Sequence, residues 1–359
     1  MYIKHKIYEE DINSIVNEKL SWEKLADKTL LLTGATGLIG TLLVDVLMKK
    51  NIGLKICAAG RNEKVAQERF ADYFGDKNFE FVRLNVNEPI DLDFRADFVI
   101  HAASNSHNFL FATDPVNTIT ANILGVNNLL NFAVRSKAER VIFLSSGEVY
   151  GKNLNDDDIF DESYCGYIDC NTIRAGYPES KRASEALCQA FISQHGLDVV
   201  IVRPCRIYGA SMRLDDSKAM SEFIKNGVRG EDIILKSEGK PKFSYCYGAD
   251  CVSGILYCLL EGKCGEAYNI ADSSKILSLR EIAEYISSLA GKKVIFELPN
   301  EIQAKGFSKS VNAILDNKKL RGLGWTPKDD TYSGVKKTIE ILKESALNVC
   351  LSQADVRGR

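Results

Sequence analysis

Along the first part of the chain, short all-apolar runs alternate with longer stretches in which apolar residues recur at helical spacing. The runs are Leu30–Leu32, "LKICAA", "FEFVRLNV", "DFVIHAA", "RVIFLSS" and "LDVVIVRP". Runs this continuous predict strands buried on both faces. Between them, Leu38, Leu42, Val46 and Leu47 mark a helix, as do "EKVAQERFADYF", "PVNTITANILGVNNLLNFAVRS" and "YPESKRASEALCQAFISQHG". Asp114, just before Pro115, is placed to cap the helix that follows, and Gly196 ends the last of them. The alternation predicts an α/β fold built on a doubly wound parallel sheet with helices on both faces. Ahead of it, a helix reaching to about Asp27 carries Ile12, Ile15, Val16 and Leu20 on one face. After about Pro204 the rhythm changes. Helices over Lys218–Val228, Asp250–Glu261 and Ser278–Ala290 alternate with short strands such as "AYNI", which reads as a smaller α/β lobe. The expected organisation is a helical extension over 1–27, the alternating α/β domain over 28–204, the smaller lobe over 205–345 and a frayed polar tail over 346–359.

Composition narrows the function classes. The 359 residues are 45% hydrophobic, enough for a sizeable core, and the formal net charge of −2 gives no basic stripe for nucleic acid. No apolar run is long enough to cross a bilayer, and the amino-terminal "MYIKHKIYEEDINS" lacks a signal core, so the expected setting is cytoplasmic with no membrane partner. The ten cysteines are scattered. Cys246, Cys251, Cys258 and Cys264 lack paired C-x-x-C spacing and have no histidine nearby, so reduced thiols and no metal are expected.

The first strand runs into "TGATGLIG". Gly34 permits the tight turn, Gly37 lets backbone approach a pyrophosphate, and Gly40 lets helix and strand pack closely. The helix N-terminus then offers unpaired N–H groups to the phosphates. Such a turn between strand and helix predicts a Rossmann-type dinucleotide site. At the end of the second strand, where an acid would hold a ribose hydroxyl, stand Gly60 and Arg61. Arginine suits a 2′-phosphate, which favours NADP over NAD. Asn85, ending the third strand, is placed to meet the adenine.

Further on, "YPESK" sets Tyr177 and Lys181 one helical turn apart on one face. An ammonium beside a phenol favours phenolate and lowers the phenol pKa, making a base for a sugar hydroxyl. Ser146, at the end of an earlier strand in "SSGEVYG", is placed to bind the same oxygen.

In that order these motifs resemble the extended short-chain dehydrogenase/reductase family, the NAD(P)-dependent nucleotide-sugar epimerases, dehydratases and decarboxylases. "DFVIHAA", "NILGVNNLL", "RPCRIYG" and "GEAYNI" share in the resemblance, which runs from about Lys28 to Leu342. It implies Ser146, Tyr177, Lys181 and Glu148 as catalytic residues. It implies a tightly bound cofactor held by Gly34, Thr36, Gly37, Leu38, Ile39, Gly40, Arg61, Asn85, Val86, Ala102, Ala103, Asn122, Tyr177 and Lys181, with Asn122 shaping a bend in its helix. Substrate contacts are implied for Ser104, Arg206, Lys242 and Tyr245, the partner being a nucleotide-diphosphate sugar and the assembly a homodimer.

The family's shared first step is oxidation at C4 to a 4-keto sugar. A glutamate two places after the serine, here Glu148, resembles the dehydratases and decarboxylases, and Arg174, Glu179, Arg182 and Glu185 in "RAGYPESKRASE" are similar to the decarboxylase pattern. The implied second step is a lyase step, either 4,6-dehydration or uronate decarboxylation. The alternatives are 4-epimerisation, NADPH-dependent reduction of a 4-keto sugar, and a non-catalytic dinucleotide sensor. Three positions depart from the pattern. Gly147 stands where one dehydratase group has an aspartate, Arg206 where the family has asparagine, and Phe243, beside Lys242, where it has an arginine.

Overall fold

The computed structural model describes residues 5–104, 111, 113–153, 155, 159–213, 216–297 and 312–357, with side chains up to Ser345. Parts of "HAASNSHNFLFATDP" and "GASMRLDDSKAMSEF" therefore lie outside the described residues. In chain order the elements are α1 (Lys6–Val16), β1 (Thr29–Thr33), α2 (Leu38–Lys50), β2 (Lys55–Gly60), α3 (Glu63–Arg69), β3 (Phe79–Arg83) and β4 (Phe98–His101). Then come α4 (Pro115–Ser136), β5 (Arg140–Leu144), β6 (Ile159–Phe160), α5 (Gly176–His195), β7 (Val199–Pro204), β8 (Arg206–Tyr208) and α6 (Ala219–Arg229). The remainder is β9 (Ile233–Leu235), β10 (Lys242–Tyr247), α7 (Gly248–Glu261), β11 (Ala267–Ile270), β12 (Asp272–Ser278), α8 (Leu279–Ala290), β13 (Val294–Phe296), β14 (Ile314–Leu315), α9 (Lys318–Arg321) and α10 (Thr331–Arg357).

Seven strands form the main sheet in the order β11-β7-β5-β4-β1-β2-β3, every neighbouring pair parallel. The order reverses beside β1, so the glycine turn after β1 and the end of β4 flank one crevice, where an open α/β sheet binds its ligand. The all-apolar runs are the reason for the layering. Leu30, Leu31 and Leu32 of β1 are all fully buried, which only helices on both faces can achieve.

"AYNI" corrects the sequence reading. It is a strand, but β11 pairs with β7 and completes the main sheet instead of belonging to the second lobe. Helix α7 is buried over nearly its whole length and packs against α2, β5 and β7, carrying the chain back across the sheet. The separate substrate-side structure is the small sheet β12-β10-β8, with β14 beside β6.

Other boundaries differ for local reasons. The opening helix stops at Val16, because a turn pinned by the Trp22 indole donating to Glu18 O (3.0 Å) leads into a short 3₁₀ turn over Trp22–Leu25. Strand β3 ends at Arg83, after which Leu84 N–H donates back to Gly60 O (2.9 Å) and the chain turns. Asp114 occupies the N-cap position of α4, yet its carboxylate accepts from the Asn117 side chain (2.9 Å) and makes no bond to a helix N–H. The expected frayed tail is helical through Arg357. Cys246, Cys251 and Cys258 are buried while Cys264 is exposed. No helix among the described residues is long and apolar enough to cross a membrane.

Helix α1 lies against α2, α7 and α10 and ties them together by buried polar bonds. Asp45 of α2 accepts from Tyr8 (2.6 Å) and Tyr73 (3.0 Å), and Asp11 of α1 accepts from Tyr247 (2.7 Å) and Lys337 (2.8 Å). Burial raises the Asp45 pKa to about 6, against the lowering effect of the two tyrosine hydroxyls and of Arg69. The unfolded chain releases this proton near pH ~4, so between about pH 4 and 6 the folded chain carries the extra proton and stability falls as pH rises. Relative to Asp45→Asn, the wild type should therefore lose about 2–3 kcal/mol of unfolding free energy between about pH 4 and pH 7. Urea titrations across that range measure it, and parallel curves for the two proteins would contradict it.

Candidate active site

The glycine turn is built by close approach. Gly34 has φ +70°, and a Cβ there would lie 2.6 Å from the Ala102 carbonyl. A Cβ at Gly40 would lie 2.3 Å from Gly34 O. Only backbone fits, so the turn and the end of β4 come flush and the first turn of α2 opens toward the crevice from its N-cap, Gly37. This cradle fits the pyrophosphate of a dinucleotide.

Around it, Ala102 N–H donates to Thr33 O (3.1 Å) and Ala103 N–H to Thr33 Oγ1 (3.4 Å). Val86 packs against Gly125 of α4, where a Cβ would meet its Cγ2 at 2.9 Å. Ile39 is partly buried, and Leu38 O accepts from Ser211 Oγ (2.7 Å). Thr36 and Arg61 line a cleft of about 670 Å³ at the ends of β2 and β3. Asn85 spends its amide in its own turn, donating to Glu88 (2.8 Å) and accepting from Asn87 N–H (3.3 Å).

The catalytic candidates gather at the end of β5. Ser146 begins a 3₁₀ turn over Gly147–Tyr150, its hydroxyl accepting from Glu148 N–H (3.2 Å). Tyr177, in the first turn of α5, is buried, with Ser146 and Ser104 beside its hydroxyl and acting to lower its pKa. Ser104 donates to Asn122 Oδ1 (2.8 Å), and Asn122 Nδ2 donates to Ser180 Oγ (2.8 Å), which in turn donates to Tyr177 O (2.8 Å). Asn122 is fully buried in an unbroken α4, where it cross-links the serine, the catalytic helix and its own helix.

The electrostatics differ from the sequence expectation. Lys181 is fully buried, but its ammonium donates to Leu144 O (2.8 Å) and lies 6.0 Å from the centre of the Tyr177 ring. Desolvation lowers the Lys181 pKa to about 8, with Glu185 acting against it. Desolvation also raises the Tyr177 phenol to about 12, and Glu148 adds to the rise. The leading groups that lower it are Ser146, Arg174 and Ser104. Burial of the phenol outweighs the charge pairing that the Tyr-x-x-x-Lys spacing suggested.

Glu148 forms an ion pair with Arg174, whose Nη2 donates to both carboxylate oxygens at 2.6 Å. The Arg174 Nη1 is buried with no partner among the described residues. Its guanidinium lies 4.8 Å over the Phe111 ring, which itself stacks on Tyr177 at 4.8 Å. Phe111 was not singled out by sequence, because no spacing signal links it to the tyrosine.

Glu185 and Arg182, read as part of the same motif, are framework. Glu185 pairs with Arg203 (2.6 Å) in a largely buried bridge and accepts from Ser145 Oγ, holding the ends of β5 and β7 together. Arg182 donates to Val149 O (2.6 Å) and Gly166 O (2.7 Å) and also pairs with Glu179.

On the small sheet, Arg206 is paired in register with Tyr245, and its guanidinium lies flat over Phe243 at 3.5 Å. The Tyr245 hydroxyl is buried without a partner among the described residues, and burial raises its pKa while Arg206 lowers it. Lys242 stands apart. It begins β10 exposed, in register with Ser278, and its charge acts on Glu281. A Cβ at Gly147 would meet Leu315 Cδ2 at 3.1 Å, so a side chain there would need the leucine of β14 to give by a few tenths of an ångström.

Comparisons with known proteins agree with this geometry. The family model described as NAD dependent epimerase/dehydratase family matches residues 30–271. The chain is 30% identical over 306 residues to UDP-glucuronic acid decarboxylase 3 of Arabidopsis thaliana, covering 85% of this chain and 86% of that protein. It is 28% identical to UDP-glucuronic acid decarboxylase 1 of Danio rerio, covering 87% of this chain and 72% of that one. Among solved structures, a dTDP-glucose 4,6-dehydratase from Streptomyces venezuelae with NAD bound superposes with a TM-score of 0.76 at 25% identity, covering 88% of this chain and 97% of its own. A Thermotoga maritima UDP-glucose 4-epimerase with UDP-glucose gives 0.77 at 22% identity over 89% and 99%, a likeness of fold.

Proposed function

This chain belongs to the NAD dependent epimerase/dehydratase family, and we propose that it oxidises a nucleotide-diphosphate sugar at C4 and then carries out a lyase step, with uronate decarboxylation ahead of 4,6-dehydration. The observation that carries the reading is the arrangement around Tyr177. One buried phenol has Ser146 and Ser104 acting on its hydroxyl, Phe111 stacked on its ring, and the Glu148–Arg174 pair beyond that ring. The similarity to UDP-glucuronic acid decarboxylases supports the choice of lyase. The cofactor is an NAD-type dinucleotide, and Arg61 beside the cleft favours its NADP form. When bound, such a cofactor would take a hydride from C4 and give it back once the lyase step is complete, so that no net oxidation remains.

The chain's own groups do the rest. Tyr177 takes the C4 hydroxyl proton while Ser146 holds that oxygen. Arg174 and Glu148 then face the ring carbons beyond the new ketone, where a carboxylate can manage a proton and a guanidinium can hold a developing anion. The ketone serves as electron sink as the C5–C6 bond breaks and carbon dioxide leaves, and the enolate so formed takes a proton at C5.

Incubating the protein with UDP-, dTDP-, GDP- and CDP-sugars and reading products by mass spectrometry tests this. Loss of carbon dioxide from a uronate is the expected result. Loss of water would move the reaction to dehydration, a gain of two hydrogens would move it to reduction, and an isomer of unchanged mass would remove the lyase step.

A further inference from the structure

We propose that the cofactor's 2′-phosphate is gripped from both lobes, by Arg61 and Arg83 at the sheet edge and by Arg213 reaching across from the segment after β8. The inference rests on the NADP reading above and names residues that the sequence did not connect with it. Strands β2 and β3 are adjacent, with Gly60 and Arg83 in register. Arg61 follows Gly60, so both arginines leave the sheet at one level. They line the cleft of about 670 Å³ together with Thr36 of the glycine turn, which ties the cleft to the dinucleotide's own turn.

Arg213, from a segment far along the chain, lines the same cleft. Its segment is anchored to the dinucleotide helix. Ser211 Oγ donates to Leu38 O (2.7 Å), and Arg69 Nη1 donates to Ser211 O (2.9 Å) and to Thr41 Oγ1 (3.2 Å). Met212, between the anchor and the arginine, is buried, so Arg213 is carried on fixed backbone. Among the described residues, Arg61, Lys64, Arg83 and Arg213 line the cleft with one carboxylate, Glu63. A phosphomonoester dianion matches that balance, and planar guanidinium groups suit its oxygens.

Calorimetric titration of the full chain with 2′,5′-ADP and with 5′-AMP, which lacks only the 2′-phosphate, tests the proposal without turnover. The wild type should bind 2′,5′-ADP more tightly, by a margin that narrows as salt is added. Arg83→Ala and Arg213→Ala should each weaken 2′,5′-ADP by roughly tenfold or more while leaving 5′-AMP unchanged. Arg213→Lys should recover part of the loss. Equal affinity of the wild type for the two ligands would overturn the NADP reading and this proposal with it. A preference for 2′,5′-ADP that survives Arg213→Ala and Arg83→Ala but is lost in Arg61→Ala would overturn the two-lobe grip alone.

Discussion

Tyr177→Phe is expected to lower kcat by about 10²–10⁴-fold, the range for removing a positioned acid–base group. Cofactor binding and melting temperature should stay close to wild type. The neighbouring serines keep their own bonds, Ser104 to Asn122 and Ser146 to the Glu148 N–H, and the ring keeps its stack on Phe111. The effect therefore falls on the proton transfer and not on the frame. Because burial raises the phenol to about 12, its proton is held through neutral pH, and the wild-type rate should climb on the alkaline side. The residual rate of Tyr177→Phe should lose that climb. A variant within a few-fold of wild type, measured in steady-state assays across pH, would refute the role of Tyr177 as base.

Glu148→Gln separates the two halves of the proposed reaction. Product formation should fall by about 10²-fold or more, by the same acid–base argument. C4 oxidation should persist, seen as near-ultraviolet absorbance of reduced nicotinamide that appears and is not consumed. Glutamine keeps the size of the side chain but gives up the ion pair to Arg174. That pair is about a third to two-fifths exposed on each side, so its loss should change stability by about 0–1 kcal/mol, and a drop in rate would not report unfolding. Turnover equal to wild type would sink the proposed second step as a job for this carboxylate.

What was legible in the sequence was whatever a local pattern fixes. Leu30–Leu32 reads as a buried strand and is one, and the glycines after it announce a turn that Ala102 in fact presses against. Tyr177 and Lys181 are brought together as their spacing on one helix requires. Their electrostatics were not legible, because desolvation depends on what covers them, and Phe111 and Phe143 come from other elements. "AYNI" shows the same limit for the fold. Its composition says strand, but only the burial of α7 against β5 and β7 decides that the strand closes the main sheet. Arg83 and Arg213 escaped notice for a third reason: they flank one cleft from segments far apart in the chain.

Gly147 and Leu315 carry this non-local theme into how such a site can vary. The missing acid is not simply a blank beside Ser146, since even a Cβ there would press on the leucine of β14. Leu315 is also part of a small apolar cluster with Val149, Tyr150 and Phe160, so it cannot be displaced without disturbing the floor of the turn. Positions 147 and 315 are thus coupled by packing. A side chain at the first needs the leucine at the second to give way by a few tenths of an ångström, so the chemistry open to the turn depends on a strand far from it in the chain.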